Sequence, residues 1–189
     1  MRLNVGCGRS IMEGWTNVDV VPLPGVDVVY DLERPGGERL PLEDDSVDEF
    51  LLSHVIEHVR NSLGLMEELH RVARPGARMV IRVPHGASDD AHEDPTHVRC
   101  YFPGSFGYFG QPYYWRADYG YRGDWLTEGV DLHLVDGTFA AEPLRGHAWR
   151  QVECSRNVVR EMVARLVAVK PIRDPKRELQ VVPRLTLCP

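Results

Sequence analysis

The stretch Leu3-Asn4-Val5-Gly6-Cys7-Gly8, followed by Asn17-Val18-Asp19, decides the fold class of this 189-residue chain. Residues 2–5 form a short apolar run that stops at a Gly-x-Gly turn, which is typical of a first strand ending in a tight turn. Glycine at this point lets the backbone approach a ligand with no Cβ in between, at the edge where open α/β sheets bind their ligands. We therefore predict an opening strand with a candidate binding loop at its end.

Four further segments have the composition of buried strands. They are residues 17–21, 26–30, 48–53 and 77–83. A helix is predicted over residues 61–73, because apolar residues recur there at helical spacing before Arg74-Pro75-Gly76 ends it. The predicted strands are apolar along almost their whole length, which indicates a mainly parallel sheet with helices on both faces.

The end of the chain has the pattern of a terminal β-helix-β unit. Residues 125–136 and 178–187 have extended character, and a helix is predicted over residues 156–169 between them. The apolar residues that predict this helix are Val159, Met162, Val163, Leu166 and Val167.

The sequence predicts one domain over residues 1–189, because no linker, repeat or low-complexity stretch interrupts it. Within it we distinguish residues 2–100 as the ligand-binding half, residues 101–125 as an aromatic segment and residues 125–189 as the terminal unit. Of the sixteen aromatic residues in the chain, eleven lie in the aromatic segment.

Composition excludes several classes of protein. A formal net charge of −6 argues against a nucleic-acid partner, which would require a basic face. The chain has no apolar run of about eighteen residues and no apolar leader, so we expect a cytoplasmic protein without a membrane partner. The four cysteines are far apart and form no CxxC pair, which disfavours a disulfide framework or a thiolate zinc site.

The glycine loop departs from the dinucleotide-binding fingerprint. The position of its third glycine is Ile11, and Asp19 comes eleven residues after Gly8 rather than about twenty. A nicotinamide-dependent dehydrogenase is therefore disfavoured. S-adenosylmethionine (SAM) has no pyrophosphate to seat at a helix N-terminus, while its ribose diol calls for a carboxylate at the end of the second strand. Asp19 has the position that this role requires.

An ordered series of motifs resembles the small class I SAM-dependent methyltransferases. The series consists of Leu3 to Gly8, Gly14 to Asp19, Asp31-Leu32, Leu40-Pro41-Leu42, Asp45 to Asp48, Ser53-His54-Val55-Ile56-Glu57-His58, Leu69 and Arg74-Pro75-Gly76. The resemblance covers about residues 2–102. It implies a Rossmann-like fold with a seven-stranded, mainly parallel sheet, an antiparallel terminal hairpin, and SAM as the cofactor.

The resemblance also implies a set of cofactor-binding residues. Gly6 and Gly8 line the methionine and ribose side, and Asp19 holds the ribose hydroxyls. Asp31 with Leu32 borders the adenine, and Ser53 with His54 closes the sulfonium side. The predicted cofactor-binding set is Asn4, Gly6, Cys7, Gly8, Asp19, Val20, Asp31, Leu32, Ser53 and His54. A plain turn at the glycines and a turn-capping role for Asp31 are the alternatives.

Candidate catalytic residues are histidines, because imidazole with a pKa near 6.5 suits proton removal at neutral pH. His54 and His58 follow the fourth strand, and both can instead serve to fix the loop. His97 lies after the fifth strand as a base or orienting residue, with Tyr101 assisting it. His85, His92 and His97 with the acidic residues around them are an alternative divalent-metal site, but their spacing matches no ligand pattern, so we predict no metal site.

We expect O- or N-methylation of a small-molecule acceptor such as a metabolite, a sugar or a natural-product intermediate. The aromatic segment is predicted to be a lid or acceptor pocket, with a dimer interface or a satellite core as the alternative, and a homodimer is expected to help cover the acceptor. Intramolecular cyclisation, aminocarboxypropyl transfer and a non-catalytic SAM-binding subunit of a partner are the competing functions.

Overall fold

The computed structural model of the protein describes residues 1–33, 39–136 and 148–189. Eight strands of these residues form one sheet in the order β3-β2-β1-β4-β5-β7-β6-β8. The strands are β1 (Arg2–Val5), β2 (Thr16–Asp19), β3 (Val28–Val29), β4 (Val47–Ser53), β5 (Ala73–Pro84), β6 (Trp125–Leu134), β7 (Val159–Ala168) and β8 (Arg184–Cys188).

Helices connect or flank these strands. They are α1 (Ser62–Val72), α2 (Asp90–Glu93) and α3 (Ala148–Cys154), with 3₁₀ turns at Ile56–His58, Pro103–Phe109, Gln111–Tyr114 and Arg177–Leu179. The helix α1 begins where the side chain of Asn61 accepts a 3.0 Å hydrogen bond from the backbone N–H of Gly64, which is an N-cap contact. In the described parts of the chain, no helix has the length and apolar character needed to cross a membrane.

The strand order places a topological switch point at β1. The chain runs from β1 to β2 and β3 on one side and then returns to β4 on the other, and all these pairings are parallel. Open α/β sheets bind ligands in the crevice outside the carboxyl ends of the two strands at such a point. The candidate site is therefore expected where β1 ends at Val5 and β4 ends at Ser53.

The predicted mainly parallel, Rossmann-like sheet is confirmed, and it has eight strands where seven were expected. The strand β7 is antiparallel to both β5 and β6, so the antiparallel hairpin of the sheet consists of β6 and β7. The extended segment near the end of the chain is an additional strand, β8, which pairs parallel with β6.

The helix predicted over residues 156–169 is wrong, because Val159–Ala168 is the strand β7. From Met162 to Ala168 every second side chain is buried, and those between them are half-buried, as expected for a strand with neighbours on both sides. Residues that are apolar on both faces also satisfy a helical stripe, so spacing alone does not separate the two structures. The antiparallel pairing of this segment with β5 and β6 shows that it is a strand.

Candidate functional site

The glycine turn after β1 has two glycines with different surroundings. Gly6 and Gly8 have φ angles of +64° and +50°, which L side chains rarely adopt. A Cβ at Gly6 would lie 2.6 Å from Cγ2 of Val55, so the turn packs directly against the segment that leaves β4. A Cβ at Gly8 would meet nothing within 4 Å, which leaves its backbone open to a ligand. The turn therefore leaves an open cradle beside Gly8.

Asp19 is fixed at the end of β2 by two backbone hydrogen bonds. Its Oδ2 accepts from the N–H of Gly8 at 2.7 Å, and its Oδ1 accepts from the N–H of Val21 at 2.9 Å. Each carboxylate oxygen keeps a second lone pair, so the group can accept further hydrogen bonds. The structure thus joins the glycine turn and the acidic strand end in one rigid unit.

Asn4 and Cys7 have supporting positions in this unit. The buried Asn4 side chain donates from Nδ2 to the carbonyl of Ser10 and to Oδ1 of Asn17, both at 2.9 Å. The backbone N–H of Cys7 donates to the carbonyl of Val18 at 3.0 Å, and burial, followed by the charge of Asp19, raises the pKa of the Cys7 thiol. These contacts connect β1, the turn and β2, and they shape the cradle from beneath.

The remaining residues of the predicted cofactor-binding set on this side of the sheet follow β2 and β3. Val20 is exposed just beyond Asp19, where an apolar side chain is available to a ligand. Asp31 accepts a 2.9 Å hydrogen bond at Oδ1 from the N–H of Glu33, which is the turn-capping contact of an acid beyond a strand. Leu32 is partly buried against the core. This contact accounts for Asp31 without a ligand, so its adenine role stays a prediction.

Ser53 and His54 stand at the exit of β4, opposite the glycine turn. Ser53 is the last residue of the strand and is half-buried. His54 follows with a φ of +55°, a strained backbone conformation that is often found at functional sites, and its N–H donates to the carbonyl of Arg82 at 2.9 Å. The exit of β4 is therefore held in one conformation by β5.

The His54 ring is bound by carboxylates on two sides. Its Nε2 lies 2.8 Å from Oε1 of Glu161, and its Nδ1 lies 3.5 Å from Oε1 of Glu57. Glu57 and then Glu161 raise the pKa of His54 above its ordinary value, against the opposite effect of burial. A ring with carboxylates at both nitrogens favours the cation, so this geometry does not support His54 as the base.

Sequence reasoning missed Glu161 and Arg82, which complete this cluster. Arg82 on β5 donates from Nη2 to Oε2 of Glu161 at 2.7 Å. Burial on its own raises the pKa of Glu161, but Arg82 and His54 together lower it below its ordinary value. The sequence does not point to Glu161, because a helix predicted over residues 156–169 separates it from the strand ends.

His58 and His97 are brought together although they are far apart in the chain. Their ring centroids are 4.7 Å apart, and Glu57 precedes His58 in the same 3₁₀ turn. The turn is held by the backbone, because the carbonyl of Glu57 accepts from the N–H groups of Val98 and Arg99 at 2.9 and 3.3 Å. Of the residues described, Glu57, His58 and His97 are the group with suitable metal-ligand atoms close together.

Tyr101 is placed as a structural residue. It is 2% exposed, its ring stacks on Phe106, and its hydroxyl donates to the carbonyl of Ile56 at 3.4 Å. Burial raises the pKa of Tyr101 to about 12. This geometry does not support the predicted catalytic assistance, and it gives Tyr101 the role of anchoring the aromatic segment to the turn after β4.

The other two histidines of this region have their own partners. Burial lowers the pKa of His85, which packs edge-on against Phe102. His92 lies 3.0 Å from the carbonyl of Gly86 through Nε2. Neither joins His97 in a metal-ligand group among the residues described.

The aromatic segment divides into a packed part and a cleft-lining part. Buried members are Tyr101, Phe106, Phe109, Tyr114, Tyr121 and Trp125. Exposed members are Phe102, Tyr108, Trp115 and Tyr119. An open cleft of about 870 Å³ runs between this segment and the start of α1, and its lining includes Arg60, Ser62, Arg99, Tyr108, Tyr113 and Tyr119. Part of the segment thus forms core, and part forms the wall of a pocket.

Comparison with known proteins agrees with this architecture. Residues 21–81 match the family model described as a methyltransferase domain. An uncharacterized methyltransferase of Mycolicibacterium vanbaalenii is 48% identical over 48 residues, which are 25% of this chain and 19% of that protein. The matched stretch is therefore a small part of the curated relative.

Solved structures share the fold at low sequence identity. A SAM-dependent methyltransferase from Archaeoglobus fulgidus has a TM-score of 0.57 and 18% identity, covering 88% of this chain and 85% of its own. A chain of the complex between the Haloferax volcanii Trm112 methyltransferase activator and a methyltransferase has a TM-score of 0.52 and 12% identity, covering 89% and 82%. The [4+2]-cyclase SpnF has a TM-score of 0.51 and 14% identity, covering 89% and 75%.

The sheet order, the glycine turn and the acid that ends β2 together have the arrangement of a Rossmann-like α/β fold. The match of residues 21–81 to a methyltransferase domain and the fold shared with a solved SAM-dependent methyltransferase agree with the resemblance that the sequence motifs predict. SAM is the cofactor that the class implies.

Proposed function

We propose that the protein transfers the methyl group of SAM to an oxygen or nitrogen atom of a small acceptor. The observation that carries the proposal is the unit of Gly8 and Asp19, joined by the 2.7 Å hydrogen bond at the switch point of the sheet. The cofactor supplies a methyl group already activated on a sulfonium, so the tasks of the protein are to align the acceptor and to exclude water.

In this proposal Asp19 accepts hydrogen bonds from the ribose hydroxyls. Its orientation is fixed before the cofactor binds, since Gly8 and Val21 already hold one lone pair of each oxygen. The open space beside Gly8 takes the ribose and methionine part, while Ser53 and His54 close the opposite side from β4. A site preorganised in this way loses little conformational entropy on binding.

The aromatic cleft is the proposed acceptor pocket. Tyr108 and Tyr113 give it flat apolar walls, and their ring centroids are 5.3 Å apart. Arg60 and Arg99 also line it, so a planar or apolar acceptor that carries an anionic group is complementary to the lining. This composition supports a small molecule over a nucleic acid.

Proton handling is assigned to His58 and His97. Their Nδ1 atoms face partners outside the pair: Thr96 Oγ1 at 2.9 Å from His58, and the carbonyl of Ala91 at 3.3 Å from His97. Both Nε2 atoms therefore keep a lone pair that can accept a proton.

Product analysis tests the proposal. The purified protein is incubated with SAM and a panel of aromatic carboxylates, phenols and amines, and the nucleoside product is identified by mass spectrometry. Formation of S-adenosylhomocysteine in an acceptor-dependent way is expected. Methylthioadenosine would instead show cyclisation or aminocarboxypropyl transfer. Absence of any binding of SAM or S-adenosylhomocysteine would contradict the proposal.

Two of the similar structures are examples of the alternative functions that product analysis distinguishes. One belongs to a complex with a methyltransferase activator, and another is a [4+2]-cyclase. A protein that binds S-adenosylhomocysteine but turns over no acceptor would favour a non-catalytic SAM-binding subunit. Cofactor binding combined with acceptor methylation excludes that alternative.

A further inference from the structure

Glu57, His58 and His97 form a compact group beside the exit of β4. One ligand atom of each lies within 4.8 Å of the others. Residues 57 and 58 belong to one 3₁₀ turn, whereas His97 comes from the segment after β5. The hydrogen bonds from Val98 and Arg99 to the carbonyl of Glu57 hold these two segments together. Backbone hydrogen bonds between the two segments therefore bring the three side chains together.

The carboxylate of Glu57 is the second observation that points to a ligand. Its side chain is 2% exposed, and neither of its oxygens has a hydrogen-bond partner among the described residues. The ion pair with His54 is long, with Nδ1 at 3.5 Å from Oε1, and it leaves Oε2 with no partner among the described residues. A buried carboxylate is costly unless it is paired or coordinates a metal ion.

The hydrogen bonds of His58 and His97 involve Nδ1 in both rings, so Nε2 of each ring is available to a metal ion. The hydroxyl of Thr96 donates to Oδ1 of Asp94 at 2.6 Å, so it accepts from Nδ1–H of His58 at 2.9 Å. The carbonyl of Ala91 only accepts, which places the proton of His97 on Nδ1 as well. Each Nε2 then carries its lone pair, and metal-binding histidines characteristically donate their other N–H in this way.

We propose that Glu57, His58 and His97 bind a divalent transition-metal ion of the Zn²⁺ or Fe²⁺ type. Two imidazoles and one carboxylate suit these ions better than Mg²⁺ or Ca²⁺, which prefer oxygen ligands. Three protein ligands leave at least one coordination position for an oxygen of a further molecule. A bound ion takes both Nε2 lone pairs, so in the metal-bound protein His58 and His97 act as ligands in place of the proton handling assigned to them above. That the oxygen at the open position belongs to the methyl acceptor rests on the proposed function, whereas metal binding by the three residues does not.

Cobalt titration tests the site without any activity assay. The full-length protein is stripped with a chelator and titrated with Co²⁺, while visible absorption is recorded. One equivalent is expected to give the d–d bands of a low-coordinate ion, and Zn²⁺ is expected to displace them. Absence of a saturable one-equivalent band would overturn the proposal.

Variants identify the ligands. Glu57→Gln and His97→Asn are each expected to weaken Co²⁺ binding by at least about 100-fold, and Thr96→Val, which removes the hydrogen bond to His58, by about tenfold. His92→Asn is the matched control and is expected to keep full affinity, since His92 contacts the carbonyl of Gly86 instead. Circular dichroism establishes that each variant is folded.

The outcomes separate this proposal from the proposed function. Folded Glu57→Gln or His97→Asn protein with unchanged Co²⁺ affinity would show that any metal binds elsewhere, and would overturn the site. If Glu57→Gln and His97→Asn do not fold, the Co²⁺ affinity of Thr96→Val tests the site. An affinity equal to that of the unchanged protein would overturn the proposal. Acceptor methylation that survives complete metal removal would disprove only the acceptor role of the open position.

Discussion

The glycine turn and the aromatic segment make up the two sides of the proposed site, and they are built by different forces. The turn is determined by backbone requirements that a few neighbouring residues meet, namely positive φ at Gly6 and Gly8 and two backbone hydrogen bonds to Asp19. The aromatic segment of residues 101–125 is determined by packing against distant elements, such as Tyr101 on the turn after β4. The first side is rigid by local geometry, and the second by burial.

This difference predicts that cofactor binding depends on the glycine turn and Asp19 and is independent of packing in the aromatic segment. Substitutions that remove packed side chains of the aromatic segment are expected to change the free energy of unfolding and leave cofactor affinity intact. Substitution of Asp19 is expected to weaken cofactor binding, because its carboxylate is the proposed acceptor of the ribose hydroxyls, and also to loosen the turn, because it holds the N–H groups of Gly8 and Val21. The substitutions below follow from the largest expected effect to the smallest.

Trp125→Ala removes the largest fully buried ring of the aromatic segment. Trp125 is 1% exposed, its Nε1 donates to the carbonyl of Met66 at 2.9 Å, and its ring contacts Phe50 edge-on. The free energy of unfolding, measured with urea, is expected to fall by about 3–5 kcal/mol. Tyr119→Ala is the control: Tyr119 is 78% exposed, and its loss is expected to cost less than about 0.5 kcal/mol. Equal losses would contradict the division of the segment.

Gly6→Ala tests the packing of the turn against β4. The new Cβ adds left-handed strain and a 2.6 Å contact with Val55, so the free energy of unfolding is expected to fall by roughly 2–4 kcal/mol. Gly8→Ala adds strain without a contact and is expected to cost about 1 kcal/mol. Chemical denaturation without cofactor measures both. A Val55→Ala background is expected to recover part of the Gly6→Ala loss, and no recovery would contradict the contact.

Asp19→Ala tests cofactor binding directly. Loss of hydrogen bonds to a charged group is expected to weaken the binding of S-adenosylhomocysteine by about 1.5–3 kcal/mol, which is roughly ten- to 150-fold in affinity. Calorimetric titration measures the change. Glu13→Ala removes an exposed carboxylate from the same loop and is expected to leave affinity unchanged. Unchanged affinity of the Asp19 variant would refute the ribose role.

His70→Gln has the smallest expected effect and concerns pH. His70 is buried, its Nε2 lies 3.1 Å from the carbonyl of Val169, and burial lowers its pKa. The unfolded chain therefore takes up a proton near pH 6.5 while the folded protein does not, so stability falls as the pH decreases below about 6.5. The glutamine variant is expected to flatten this decline in unfolding curves at pH 5–7. An unchanged slope would contradict the assignment.

The fold of the ligand-binding half could be predicted from the sequence because its signals are local. The turn at Gly6 to Gly8, the acid at the end of β2 and the helix α1, which ends at Val72, each depend on adjacent residues. The strand β7 could not be recognised, because a run that is apolar on both faces fits the spacing of a helix as well as that of a strand. Its pairing with β5 and β6 shows that it is a strand.

For the candidate site, individual residues could be predicted from the sequence, but the contacts between them could not. His58 and His97 were recognised as single residues of interest, but their contact depends on backbone bonds between the turn after β4 and the segment after β5. Glu161 faces His54 because β7 lies next to β5, a pairing that no spacing in the sequence indicates. Long-range pairing therefore accounts for what the sequence did not reveal.

A crystal structure with S-adenosylhomocysteine tests the central claim most directly. The account predicts both ribose hydroxyls within hydrogen-bonding distance of the Asp19 carboxylate and the ligand backbone against Gly8. A ligand bound elsewhere on the molecule, or ribose hydroxyls without contact to Asp19, would contradict it.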